Sequence, residues 1–173
     1  LSDTFFLKAF ELVGKTIGPL RESPEELRVR MNASMAGLLT ALGLTVSKTG
    51  VGAALSYAIN GRYMVPKSWV SAILLPHVLE FYTGVAAEKL ATVAAHLGEE
   101  VEEASPVEGA SRAVEAVRRI LSSLAMPTRL RDFDLNLDDL VEVAGTARSF
   151  DMMNYLARPV STEDLYELLK SAY

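Results

Sequence analysis

The chain has 173 residues, 50% of them hydrophobic, with a formal net charge of −5 and no cysteine. That is the length of one large domain with ample core material, and it excludes a disulfide framework, a Cys-ligated zinc and a thiol nucleophile. The acidic balance and the lack of a long basic run exclude a nucleic-acid partner on electrostatic grounds.

Glutamine is absent as well, and a scarcity of thermolabile residues hints at a thermophilic source. The opening LSDTFFLKAF carries an acid where a secretion signal needs a basic region. The apolar run from Leu38 to Ile59 is broken by Lys48 and three glycines, short of a membrane span. A soluble, cytoplasmic protein without a membrane partner is the expectation.

Helix signals run through the chain and no stretch reads as a strand. Ser2 caps a first helix with Phe6, Ala9, Phe10, Val13 and Ile17 on one face, and Gly18-Pro19 lies near its end. Ser23-Pro24-Glu25-Glu26 reads as a start signal. Leu27, Met31, Met35, Leu38 and Leu42 follow at helical spacing, with Arg28 and Arg30 pointing away. After a turn at Thr49-Gly50, Gly52 to Ile59 reads as a short buried helix, and Asn60-Gly61 as a turn.

Pro66 begins a helix to about Tyr82 whose apolar residues, among them Trp69, Val70, Ile73, Leu74, Val78, Leu79 and Phe81, nearly encircle it. Pro76 removes one of its internal hydrogen bonds. Val85 to Leu97 is the next helix, stopped by Gly98. The acidic cluster Glu99, Glu100, Glu102 and Glu103 reads as a solvated linker, with cation binding as the alternative. Val107 to Leu124 is amphipathic and ends at Pro127. Asn136 caps a helix with Leu137, Leu140, Val141 and Ala144 inward. Ser161-Thr162-Glu163-Asp164 opens the last one, which buries Leu165, Leu168 and Leu169. The expected fold is all-α, one domain over residues 1–173 with seven to nine helices.

Several segments resemble the iron-containing alcohol dehydrogenase (dehydroquinate synthase-like) family. Ala72-Ile73-Leu74-Leu75-Pro76-His77-Val78 is similar to its A-I-L-L-P-H-V helix, and Glu88-Lys89-Leu90-Ala91 to the helix after it. Pro127-Thr128-Arg129-Leu130-Arg131-Asp132 resembles its P-x-x-L-R-D turn. Asn154, Arg158-Pro159 and Thr162-Glu163-Asp164-Leu165 resemble its closing segment. The resemblance covers the C-terminal half of such an enzyme. It implies that the N-terminal nucleotide-binding domain lies outside this chain. Gly50-x-Gly52 is no dinucleotide fingerprint, so no cofactor is expected.

The resemblance also places the family's metal ligands. By the resemblance, one Asp and three His hold the metal: the Asp and first His fall upstream of this chain, the second His at Leu55 and the Pro-His ligand at Pro66-Lys67, while a further histidine that is not a usual ligand falls at about Ile59. Leucine offers no lone pair, and lysine is a charged donor. With only His77 and His96 left, no metal site is expected.

Lys67 is the one catalytic candidate. It reads either as a cleft lysine serving as base or Schiff-base nucleophile, or as a surface lysine at a helix start. Tyr57, Asn60, Ser68, Trp69 and His77 complete a candidate cleft. His77 reads as a core or interface histidine with a hydrogen-bond partner, and His96 as facing solvent or the helix dipole.

Two functions follow. The first is a non-catalytic descendant that binds a partner or a small molecule. The second is the C-terminal half of a split or truncated NAD(P)-dependent oxidoreductase. The chain alone is not expected to be active. A homodimer, or a partner protein covering the open cleft, is expected from apolar residues of Gly50–Tyr63 and from Phe5, Phe6 and Phe10.

Overall fold

The computed structural model describes all 173 residues. It contains seven α-helices and three short 3₁₀ turns, with no strand, so the fold is all-α as expected. The helices are α1 (Ser2–Glu22), α2 (Leu27–Thr45), α3 (Val51–Tyr63), α4 (Lys67–His96), α5 (Pro106–Ser123), α6 (Leu140–Arg148) and α7 (Thr162–Ala172). The 3₁₀ turns are Leu130–Phe133, Leu137–Asp139 and Asp151–Asn154. The residues gather into two compact units, Leu1–Lys48 with Ala86–Leu124, and Thr49–Val85 with Ala125–Tyr173.

In the first unit, α1 runs through Pro19 and ends three residues after it at Glu22, so Gly18-Pro19 lies near its end as expected. Pro19 lacks an N–H but keeps its carbonyl, which accepts from Ser23 N at 2.8 Å and closes the helix there. Ser23–Glu26 is not the first turn of α2 but a turn before it: Glu26 N donates to Ser23 O at 3.1 Å, and the Arg30 guanidinium bonds Pro24 O at 2.7 Å.

The face that α2 buries also differs from the expected one. Val29, Ala36 and Gly43 are buried, each two turns apart. Leu27, Met31, Met35, Leu38 and Leu42 are exposed. The small face wins because it admits α1 closely: a Cβ on Gly43 would fall 2.6 Å from the Phe6 ring. Phe5, Phe6 and Phe10 are accordingly half-buried and do not form an open patch.

At the end of α4, Gly98 adopts φ 96, and Glu99 N reaches back to Ala94 O at 3.0 Å. This is the glycine stop expected from the sequence. The Glu99 carboxylate pairs with Arg119, and Glu100 O accepts from Arg112. α5 opens with a capping box between Ser105 and Glu108 and buries Ala110, Ala113, Val114, Ala116 and Val117.

The second unit has one continuous core. Leu55, Ile59, Leu74, Leu130, Leu140, Leu165 and Leu169 are fully buried in it, each contributing roughly 2 kcal/mol of apolar burial. α6 follows a 3₁₀ turn capped by Asn136, and that turn changes the helical phase. Leu137 and Val141, expected inward, are exposed, while Val143 and Ala147 join Leu140 and Ala144 in the core. α7 starts at a capping box of Ser161 with Asp164.

The expected break between Tyr82 and Val85 is not a loop. Two helical stretches, together called α4, meet at a kink where Ala86 alone has non-helical backbone (φ −134, ψ 22), close to the expected boundary. By length and composition only, α4 is apolar enough to cross a membrane. In the structure its Val70, Ile73 and Leu74 sit in the core of the second unit.

Candidate functional site

The corner between α3 and α4 carries the candidate residues. α3 extends past Asn60-Gly61, so the expected turn there is helical. The chain turns instead at Met64, a left-handed residue (φ 57, ψ 17) whose N–H donates to Asn60 O at 2.9 Å. The Asn60 side chain donates to Val65 O at 2.9 Å and ties the corner shut. Asn60 is thus a structural clamp. Behind the corner, Ser56, 2% exposed, bonds Gly52 O at 2.7 Å and the Ser71 hydroxyl at 2.8 Å, joining α3 to α4.

On the outside, the Lys67 ammonium sits 4.4 Å from the centre of the Tyr57 ring, a cation–π contact. Trp69 meets the edge of Phe133 with ring centres 5.7 Å apart. Tyr57, Met64, Lys67, Ser68 and Trp69 are all exposed. Lys67 therefore lies outside the enclosed setting in which a lysine serves as base or imine nucleophile.

His77 is not part of this corner. It lies ten residues further along α4, about 15 Å by helical rise, and its Nδ1 is 3.1 Å from the Ser171 hydroxyl on α7. That hydroxyl also donates to Leu168 O at 2.8 Å. His96 belongs to the first unit, with Nδ1 2.9 Å from Thr92 O.

Sequence reasoning missed the polar cluster at the end of α3. Arg62 pairs with Asp139 at 3.1 Å and Glu142 at 2.7 Å, and the Tyr63 hydroxyl donates to Asp139 at 2.7 Å. Burial, then the bond to Asp139, pushes the Tyr63 phenol above its ordinary range. No local pattern could reveal partners so distant in sequence. Beside the cluster, a groove of about 440 Å³ is lined by Tyr57, Ala58, Gly61, Arg62, Thr146 and Phe150, among others.

The residues present do not fit a metal. Leu55 and Ile59 are 0% exposed in the hydrophobic core, and Lys67 is held on Tyr57. What the corner offers is recognition: two exposed aromatic rings, one cation and an adjoining groove.

A family model for the C-terminal part of Fe-containing alcohol dehydrogenases matches residues 1–173. The chain is 24% identical to a 1,3-propanediol dehydrogenase of Citrobacter freundii, covering 100% of this chain and 45% of that protein. It is 29% identical to the lactaldehyde reductase of Escherichia coli (strain K12), again covering 100% and 45%. Among solved structures, a 1,3-propanediol oxidoreductase superposes with a TM-score of 0.96 at 23% identity, over 99% of this chain and 45% of that one. An alcohol dehydrogenase from Oenococcus oeni gives 0.94 at 20% identity, over 99% and 45%. The chain spans about half the length of the curated relatives it matches. Matched from its first residue to its last, the chain belongs to the iron-containing alcohol dehydrogenase family and corresponds to that family's C-terminal, helical part.

Proposed function

We propose that this chain is a pseudoenzyme: a helical binding module that keeps the family fold without its metal-dependent chemistry. One observation carries the reading. At the positions where the family resemblance places metal ligands, Leu55 is sealed in the core and Lys67 presents a cation to the Tyr57 ring. An ammonium repels a divalent ion, and leucine cannot ligate one. The exposed Tyr57, Lys67 and Trp69 form the recognition surface, since Tyr and Trp are the side chains that most often anchor interfaces. An anionic or aromatic small molecule, or an acidic segment of a partner protein, suits this chemistry.

The test is elemental analysis of the protein after dialysis against iron(II) or zinc(II), alongside a Leu55→His, Lys67→His variant. The native chain should retain less than stoichiometric metal. One tightly held ion per native chain would overturn the reading.

The 45% coverage of the relatives favours a second reading, the C-terminal half of a split or truncated NAD(P)-dependent oxidoreductase. It predicts NAD(P)H-dependent reduction of an aldehyde once the chain is combined with a relative's nucleotide-binding half. Absence of turnover from a complex shown to assemble would count against it.

A further inference from the structure

We infer that His77 is a proton-operated clasp between α4 and α7: protonation of its ring tightens the last turn of α7 against α4, and loss of that proton loosens it. The clasp stands apart from the Lys67 corner and does not depend on the recognition proposed there.

The hydrogen bonds assign the protons of the half-buried ring. The Ser171 hydroxyl has one hydrogen, which it donates to Leu168 O at 2.8 Å. Its oxygen is left to accept, so His77 Nδ1, 3.1 Å away, is the donor. Nδ1 therefore carries a proton in the neutral ring and keeps it in the imidazolium. Nε2 is the atom that gains and loses one, and the bond to Ser171 survives both states.

The surroundings favour the charged ring. Ser171 lies in the last turn of α7, which ends at Ala172. Carbonyls without helical partners give that end a partial negative charge, which attracts a cation. His77 also shares a groove of about 380 Å³ with Glu80 of α4 and with Glu163, Asp164 and Glu167 of α7. Two cations stand nearby, and both are engaged. Arg158 lies 3.9 Å from the centre of the Phe81 ring and pairs with Asp164 at 3.3 Å, and Lys170 pairs with Glu167 at 3.3 Å. The carboxylates outnumber these cations, so the groove is net negative. An imidazolium offsets that charge, whereas a neutral ring leaves the carboxylates of the two helices to repel one another. The stabilisation is present on the acid side of the imidazole range and is lost as pH rises through it.

NMR on the 173-residue chain tests this at about pH 5.5 and about pH 8, either side of the imidazole range and above the carboxylate one. Long-range proton–nitrogen spectra should show neutral His77 as the Nδ1–H tautomer. After correction for intrinsic rates, the amides of residues 168–172 should exchange about twofold to tenfold more slowly at the lower pH. His77→Asn, which retains a donor but cannot titrate, should abolish that dependence, and Glu163→Gln with Glu167→Gln should reduce it. A neutral Nε2–H tautomer, equal protection of native α7 at both pH values, or a dependence unaltered by His77→Asn or by the paired glutamines would each overturn the inference. The tautomer and the native exchange rates need no variant, so they decide the matter even if His77→Asn fails to fold.

Discussion

The Lys67 ammonium lies 4.4 Å from the centre of the Tyr57 ring, so the first residue of α4 is held against the middle of α3. Both residues are exposed, and an exposed cation–π pair contributes about 0.5–1 kcal/mol. Lys67→Ala should therefore lower stability by less than about 1 kcal/mol in urea denaturation. If the corner is the recognition surface, the same variant and Trp69→Ala should weaken ligand or partner binding more than they affect folding. Binding unchanged in both would place recognition elsewhere on the chain.

Two glycines should respond in opposite ways to alanine. In α5, a Cβ on Gly109 would sit 2.5 Å from Ala91 Cβ and 3.1 Å from its Cα. Backbone must move to admit it, at about 1–3 kcal/mol, more than the ~1 kcal/mol that alanine gains over glycine in a helix. In α6, a Cβ on Gly145 meets nothing within 4 Å. Gly109→Ala should lower the unfolding midpoint, and Gly145→Ala should raise stability by about 0.4–1 kcal/mol.

Local signals located elements well and faces less well. The helix start at Ser161 and the glycine stop at Gly98 are short-range chemistry, and each lies where the sequence places it; the capping box at Ser105 is equally local, although the sequence pattern starts that helix only at Val107. The α2 stripe shows the opposite case. Periodicity identified Leu27, Met31, Met35, Leu38 and Leu42 as one face, but not which face α1 would take. Close approach of helices rewards small residues, a preference that a hydrophobic pattern does not display. At the candidate site, the Tyr57 and Lys67 neighbourhood was legible because the two lie near a single turn. The Arg62, Tyr63 and Asp139 cluster was not, because it joins residues far apart in the chain.

Acid should destabilise the protein through carboxylates whose values are depressed on folding. The Ser161 backbone N–H, then its hydroxyl, holds Asp164 below the usual carboxylate range. Hydrogen bonds from Lys15, then Lys8, lower Glu11 to about 2. A depressed folded value means the stabilisation is complete above the unfolded value and is lost as pH falls through the folded one. For Glu11 the window runs from 4.5 down to about 2. Urea midpoints should fall across that range. Salt should flatten the share of the exposed Glu11 pairs. Ser161→Ala should remove part of the slope and cost about 1 kcal/mol at neutral pH through the lost cap. A flat profile in both proteins would contradict this assignment.

Thr16 offers the clearest route to a more stable chain. It lies in α1, is 4% exposed, and its hydroxyl is the one buried side-chain oxygen without a hydrogen-bond partner. A helical threonine commonly relieves such burial by bonding the carbonyl one turn back; Thr16 does not. The unpaired hydroxyl thus carries its desolvation cost with nothing in return, about 1–3 kcal/mol for a buried polar group. Valine has the same shape without the hydroxyl, and its helix propensity is close to that of threonine. Thr16→Val should raise stability by about 1 kcal/mol, read as a higher urea midpoint at unchanged slope. Thr16→Ala removes the hydroxyl but also the methyl group, so the void it leaves should offset that gain. A lower midpoint for Thr16→Val than for the native chain would mean that the hydroxyl is satisfied in solution, by a water molecule held between α1 and its neighbours.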